Sequence, residues 1–269
     1  MIWLNKLADR VSRGGCVVAD KDYMLSTIVR CWNALLELLF PTCCLVCERK
    51  LLGDDHVVCT DCMAAIYRTE HAILPHNGID MLFEELFQQN KKQRQCYQSG
   101  AAFAYYNRER GKYLRTLIER GKFGYRTHPE VFQVLGRQAA LEYIDSDLFD
   151  DIDLLVPIPL HPRRFRQRGF NQAEWICRGL SDVLHIPIDT EHLVRVKNNA
   201  HQSRLLLEKR GKNVENIFVI RYPEEWKGKH IMLVDDVITS GSTMYACMKC
   251  MLPIRACKVS VFSLGWAHN

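Results

Sequence analysis

Apolar positions along the chain follow two rhythms. From Ser26 to Phe40 they recur at helical spacing (Ile28, Val29, Trp32, Leu35, Leu36, Leu39), which predicts an amphipathic helix stopped by Pro41. Gly100–Tyr106 reads as a strand. Helices follow over roughly Glu109–Phe123, with Leu114, Leu117 and Ile118 as core candidates, and over Pro129–Ile144. From Asp153 onward strands and helices alternate. Leu154–Val156 is a strand, Gln172–Leu184 a helix, and Leu193–Val196, Ile217–Ile220 and Ile231–Val234 are short strands. A helix at Thr243–Met251 and a strand at Lys258–Leu264 complete the series. Such alternation, with continuous apolar strands, predicts an α/β fold whose parallel sheet is covered by helices on both faces.

The same pattern divides the chain into an N-terminal extension with its helix (1–40), a cysteine-rich module (41–70), a connector (71–98) that includes the polar run Gln88–Gln98, and an α/β domain (99–269). Met24, just ahead of the first helix, is the expected translation start, with residues 1–23 poorly ordered; peptides from 1–23 in the endogenous protein would overturn this. A length of 269 residues admits one large domain or two smaller ones. With 48% apolar and 25% charged residues, a largely disordered chain is excluded. The net charge of +5 is unevenly placed: His161–Lys212 holds 11 Lys/Arg against 5 Asp/Glu, or +6, leaving −1 elsewhere. The first ten residues lack a signal-peptide core, and Ala34–Phe40, interrupted by Glu37, is far short of the ~20 apolar residues of a membrane span. The expectation is a cytoplasmic protein without a membrane span, in which thiols stay reduced and paired cysteines act as metal ligands.

Two such pairs are Cys44-x-x-Cys47 and Cys59-x-x-Cys62, separated by the eleven residues Glu48–Val58. Two knuckles of this kind place four thiolates tetrahedrally around Zn²⁺ at about 2.3 Å and leave no open position, so the predicted role is structural. Cys43 is an alternative to Cys44, His56 an alternative ligand, and an iron–sulfur cluster an alternative occupant. Cys247 and Cys250 share one face of a predicted helix with no second pair beside them, and read as helix packing.

The strongest chemical signal is Ile231-Met-Leu-Val-Asp235-Asp236-Val-Ile-Thr239-Ser240-Gly241-Ser242-Thr243. An apolar strand runs into two carboxylates, then a small hydroxyl-rich turn, then a helix. Ligands of open α/β sheets bind beyond the carboxyl ends of the strands. Backbone N–H groups at the helix start, aided by Ser and Thr hydroxyls, favour an anion. Carboxylates accept hydrogen bonds from vicinal hydroxyls, so the run is shaped for a ribose 5-phosphate. A receiver-domain acidic pair is not expected, because only 269 − 236 = 33 residues follow Asp236 in this sequence. Helix capping by Ser242 or Thr243 leaves the two acids unexplained. A second signal, Leu155-Val-Pro-Ile-Pro-Leu-His161-Pro followed by Arg163, Arg164, Arg166 and Arg168, predicts a basic loop between a strand and a helix, with Asn171 as helix N-cap. Its other reading is a solvated basic surface.

The thirteen-residue run resembles the phosphoribosyl-diphosphate (PRPP) motif of type I phosphoribosyltransferases, with Ser240 at a position usually Thr. Motif order narrows this. The four-Cys module, Leu117-Ile-Glu-Arg-Gly-Lys122-Phe, Val156-Pro-Ile-Pro-Leu160, Arg168-Gly-Phe-Asn-Gln172, Gln202-x7-Lys209-Arg210-x2-Asn213-x4-Phe218 and the acidic run resemble, in sequence, the ComF/GntX family. That resemblance, from about Leu38 to the C-terminus, implies a phosphoribosyltransferase-like fold, a link to natural competence or DNA use, and competence-machinery proteins as partners. It implies PRPP with Mg²⁺ as ligand, Asp235 and Asp236 on the ribose, Thr239–Thr243 on the 5-phosphate and Arg163, Arg164, Arg166 and Arg168 on the pyrophosphate. Arg195, Lys197, Arg204, Lys209 and Arg210 are candidates for a loop that closes over the site. Two other readings stand beside this one: a single-stranded DNA binder using the same arginines with Phe165 and Phe170, and a PRPP sensor without turnover.

Overall fold

The computed structural model describes residues 41–51, 57–74, 76–88, 91–107, 109–123, 127–196 and 217–267, together with Trp32. The rest of the helix expected at Ser26–Phe40, His56, and Lys197, Arg204, Lys209 and Arg210 lie outside the described residues. The strands are β1 (Tyr97–Tyr105), β2 (Leu154–Pro157), β3 (Leu193–Arg195), β4 (Phe218–Ile220), β5 (His230–Ile238) and β6 (Lys258–Trp266). The helices are α1 (Thr60–Ala64), α2 (Gly78–Phe87), α3 (Lys91–Cys96), α4 (Lys112–Lys122), α5 (Glu130–Glu142), α6 (Pro162–Arg168), α7 (Gln172–Leu184) and α8 (Ser242–Met251).

Four parallel strands form the central sheet in the order β1-β6-β5-β2, and β3 and β4 pair antiparallel as a separate ribbon. Alternation along β5 divides the interior between two faces. Met232 and Val234 pack with Leu117, Leu135, Ile176 and Leu180 of α4, α5 and α7. Ile231 and Leu233 pack with Phe83 of α2 and with Met244 and Met248 of α8. Each of these side chains is buried, a contribution of roughly 1.5–3 kcal/mol apiece. Helices α5 and α7 touch backbone to backbone, because any Cβ at Gly179 would strike the Gln133 carbonyl. The expected parallel sheet flanked by helices is present.

Three local expectations differ. The segment expected as a connector contains α2, started by a capping box: Asn77 Oδ1 accepts from Ile79 N at 2.8 Å and Asp80 Oδ2 from Asn77 N at 3.1 Å. Ile79, Phe83 and Phe87 then recur every four residues and are buried against β1. Strand β5 runs four residues past the expected Val234, because β6 continues beside it and pairs Asp235 with Ser263 and Ile238 with Trp266. The arginine-bearing segment is a helix rather than a loop. Pro162 sits in its first turn, His161 Nδ1 accepts from Arg163 N at 3.2 Å, and Gly169 at φ +80° ends it.

Candidate functional site

Two groups of chemically active side chains stand apart in the fold. In the first, the sulfurs of Cys44, Cys47, Cys59 and Cys62 all lie within 4.8 Å of one another. Cys47 and Cys59 are 3.7 Å apart, and four sulfurs about 2.3 Å from a shared centre sit about 3.8 Å from each other, so the set fits a tetrahedral metal. Backbone N–H groups of Val46 and Cys59 both point at Cys44 Sγ from 3.4 Å. Arg49 beside Cys47 lowers that thiol to about 6, whereas burial and the neighbouring thiols push Cys62 up. Cys43 is exposed, bonded to the Pro41 carbonyl and outside the group, so the sulfurs that cluster include that of Cys44 and not that of Cys43. Cys247 is core, and the half-buried Cys250 donates its thiol proton to the Phe218 carbonyl at 3.1 Å.

The second group lies beyond the carboxyl ends of β2 and β5. Parallel pairing sets Pro157 opposite Val234, so the segments after both strands leave the sheet at one end. Gly241 takes φ +66° at the start of α8, with Leu86, Leu82 and Phe83 of α2 beneath it. The turn thereby brings Asp235, Thr239, Gly241, Ser242 and Thr243 together around an open cleft of about 30 Å³. Ser240 is exposed at its rim and donates to Ser242 Oγ at 3.0 Å.

The two acids, adjacent in a strand, point to opposite faces of the sheet. Asp235 faces the cleft and α8; Asp236 faces the α4 side, where Lys122 Nζ forms an ion pair with its Oδ2 and both side chains are 15% exposed. Asp236 N–H also donates to Asp235 Oδ1 at 2.8 Å. Burial raises Asp235 to about 7, with the Asp236 charge adding and the Asp236 N–H, Lys122 and Arg195 opposing. Tyr106 belongs here too: burial raises its phenol, and the charges of Glu119 and Asp236 raise it further.

Helix α6 sorts its arginines. Arg164 and Arg168, four residues apart, are half-buried, while Arg163 and Arg166 are exposed. Burial lowers Arg168, and the charges it senses are Asp236, Arg164 and Asp235. Arg195, at the end of β3, packs over the Phe218 ring with its guanidinium carbon 5.4 Å from the centroid, and it senses Arg164 and Asp235. Asn171 caps α7, accepting from Ala173 N at 3.3 Å. Phe165 is 45% exposed, but Phe170 is buried against Phe132, so the expected pair of stacking rings is reduced to Phe165. Sequence reasoning gave Lys122 no role. It occurred within a matched motif, but nothing near it in the chain indicates an acid on β5.

The protein is an α/β protein with a parallel sheet, an acid and a hydroxyl-rich turn at the sheet's carboxyl end, and four clustered cysteines ahead of it in the chain. No protein-family model matches the chain. It is 30% identical over 231 residues to DNA utilization protein YhgH of Escherichia coli (strain K12), covering 84% of this chain and 98% of that one. It is 31% identical over 158 residues to Competence protein F of Haemophilus influenzae, covering 57% and 68%. To Competence protein ComFC of Bacillus subtilis it is 37% identical over 112 residues, covering 41% and 43%. The chain belongs to the ComF family. Among solved structures it is similar to a hypothetical protein from Neisseria gonorrhoeae with bound ppGpp (20% identity, 52% of this chain and 66% of that one, TM-score 0.32). It is also similar to a hypoxanthine phosphoribosyltransferase from Staphylococcus aureus (10% identity, 49% and 61%, TM-score 0.32). Among the described residues no helix is long and apolar enough to cross a membrane.

Proposed function

We propose that this protein binds PRPP in the cleft beyond β5 and acts as a phosphoribosyltransferase-like protein of DNA utilisation. The observation that carries the proposal is the convergence of Asp235 and the Thr239–Thr243 turn on one open cleft, with the half-buried guanidiniums of Arg168 and Arg195 within electrostatic reach of Asp235. The backbone N–H groups at the start of α8 and the hydroxyls of Thr239, Ser242 and Thr243 hold the 5-phosphate. Asp235 accepts from the ribose hydroxyls. Asp236, now neutralised by Lys122, becomes available when a ligand phosphate draws the lysine away. The arginines of α6 balance the pyrophosphate charge. In the transfer, an acceptor nitrogen that has given its proton to solvent bonds to the anomeric carbon while the carbon–oxygen bond to pyrophosphate breaks, its electron pair leaving with pyrophosphate. The two carboxylates favour the positive charge that develops on the sugar. Mg²⁺ would bind with PRPP and screen the pyrophosphate, and Asp235, the acid that lines the cleft, is the residue suited to hold it. Cys44, Cys47, Cys59 and Cys62 hold Zn²⁺ as a structural ion.

Calorimetry with PRPP and Mg²⁺ tests the site. Asp235→Asn combined with Asp236→Asn should weaken binding roughly a hundredfold or more, since each removes charge-assisted hydrogen bonds; unchanged affinity overturns the assignment. Pyrophosphate release across a panel of nucleobases separates an enzyme from a PRPP sensor. A second reading, single-stranded DNA along the outer face of α6, is favoured by the exposure of Arg163, Phe165 and Arg166. Strand binding would weaken with salt at a log–log slope of roughly −0.7 per phosphate neutralised. Competence-machinery proteins would then be partners at the same surface.

A further inference from the structure

The amino end of the sheet, opposite the cleft beyond β5, holds a chain of hydroxyls that ends on a histidine. Parallel pairing advances from Tyr97 opposite Val259 to Gly100 opposite Val261, so β1 carries one extra residue there, a bulge that re-aims the side chain of Ser99. Ser99 Oγ lies 3.0 Å from Ser260 Oγ, and Ser260 Oγ lies 2.9 Å from His230 Nε2. Ser260 is fully buried, and Ser99 and His230 are half-buried. A buried hydroxyl needs a partner, and a histidine can supply one without any further role. Two features go beyond that. Ser99, the outer end of the chain, lines a cavity of about 550 Å³ together with His71, Phe87, Arg94 and Leu148. The inner end is anchored. His230 donates its backbone N–H to Asp153 Oδ2 at 2.7 Å and accepts the Asp153 N–H at 2.8 Å, while its ring bonds to the Asp151 carbonyl. A neutral ring that gives its one proton to that carbonyl turns the lone pair of Nε2 toward Ser260. Burial and the Lys258 charge lower His230, against the charges of Asp153 and Asp151, so the neutral ring prevails at neutral pH.

We propose that Ser99 is a nucleophile that takes the acyl group of a small carboxylic ester held in this cavity, with Ser260 and His230 as the relay that removes its proton. As Ser99 Oγ bonds to the ester carbon, its proton passes to Ser260 Oγ and the Ser260 proton passes to His230 Nε2. The bond from that carbon to the alcohol oxygen then breaks. The departing oxygen keeps the electron pair and takes a proton from Ser260, which His230 replaces. Water ends the cycle: its hydroxyl joins the acyl carbon, and its proton takes the place of the acyl group on Ser99 Oγ. Arg94, otherwise paired with Glu84 at 3.3 Å, is the cation of the lining that balances the transient oxyanion. A cavity of this size suits a ligand of modest dimensions.

The test is labelling of the full chain by a fluorophosphonate, located by peptide mass spectrometry, alongside hydrolysis of p-nitrophenyl acetate. Ser99 should carry the label, and Ser99→Ala should lose both label and hydrolysis. Ser260→Ala and His230→Gln should each slow labelling roughly a hundredfold, as for a lost general base. The wild type alone supplies a second measurement that needs no variant to fold. Its labelling rate should rise with pH and level off through a midpoint below the usual histidine value. No label on the wild type, or a label on another residue, overturns the nucleophile. Equal labelling rates in the two relay variants, or a wild-type rate that climbs steadily into the alkaline range, overturn the relay and the proposal with it.

Discussion

The cysteine module and the cleft beyond β5 solve opposite electrostatic problems. In the module, four sulfurs crowd within 4.8 Å, and the partial ionisation favoured by Arg49 at Cys47 is resisted at Cys62. Such a set is satisfied by one central cation and then has nothing further to bind. At the end of β5, the Asp235 carboxylate lines the cleft, Asp236 pairs with the Lys122 ammonium of α4, and the guanidiniums of Arg168 on α6 and Arg195 on β3 lie within electrostatic reach. On the proposed reading, these charges divide between a sugar and phosphates, and the difference is between a closed structural centre and a site that exchanges ligands.

Removing metal should break the comparison most sharply. Structural zinc contributes on the order of 10 kcal/mol to small finger modules, and here Cys44, Leu51, Val57, Cys62 and Ile66 share one core cluster with Leu114 and Ile118. About one zinc per chain is expected by elemental analysis. Cys44→Ser or Cys59→Ser should release it and unfold residues 41–66, detected as lost helical signal and rapid proteolysis of that segment. Full metal content in Cys44→Ser would show that the four cysteines are not the ligands.

How readable each region was in the sequence follows from the distances along the chain. The cysteines lie within nineteen positions, and their spacing set the cluster before any fold was known. The Asp235–Thr243 run is similarly local. A strand, a turn and a helix in nine residues dictate where a ligand sits. What was not readable depends on tertiary partners. The sequence sets Asp235 and Asp236 side by side, but only the extension of β5 through them shows that they turn to opposite faces. The capping box at Asn77 and Asp80, with Ile79, Phe83 and Phe87 at helical spacing, was a legible helix start that the reading of a connector passed over. Phe170 follows four arginines and a glycine, which resembles an exposed loop, yet α7 carries it into the core. Residues that meet across strands leave no spacing to read.

A smaller effect comes from the raised Asp235. Burial first, then the charge of Asp236, places its midpoint at about 7, against a reference of 3.8. Between those values the folded chain holds a proton that the unfolded chain has lost, so this residue makes the fold less stable as pH rises from about 4 to about 7. Asp235→Asn keeps the shape and removes the charge. Its gain in melting temperature over the wild type should therefore grow across that interval and level off above it. A gain that shrinks with rising pH would mean that the carboxylate is stabilised where it sits.

The smallest effect expected is at the contact between the two regions. Arg120, on α4 two residues before Lys122, donates from Nη1 to the Leu45 carbonyl and from Nη2 to Glu48 Oε1, both at 2.9 Å. The pair is open to solvent, with side-chain exposures of 44% and 71%, so Arg120→Ala should lower stability by about 1 kcal/mol or less. Because the buried cluster around Leu114, Leu117 and Ile118 fixes α4 without this contact, Lys122 should keep its place on Asp236. PRPP affinity should then stay within about twofold of the wild type, as for independent sites. A larger loss of affinity with full metal content and an unchanged melting temperature would mean that α4 transmits the position of the cysteine module to the acid–lysine pair. The two regions would then act as one device rather than two.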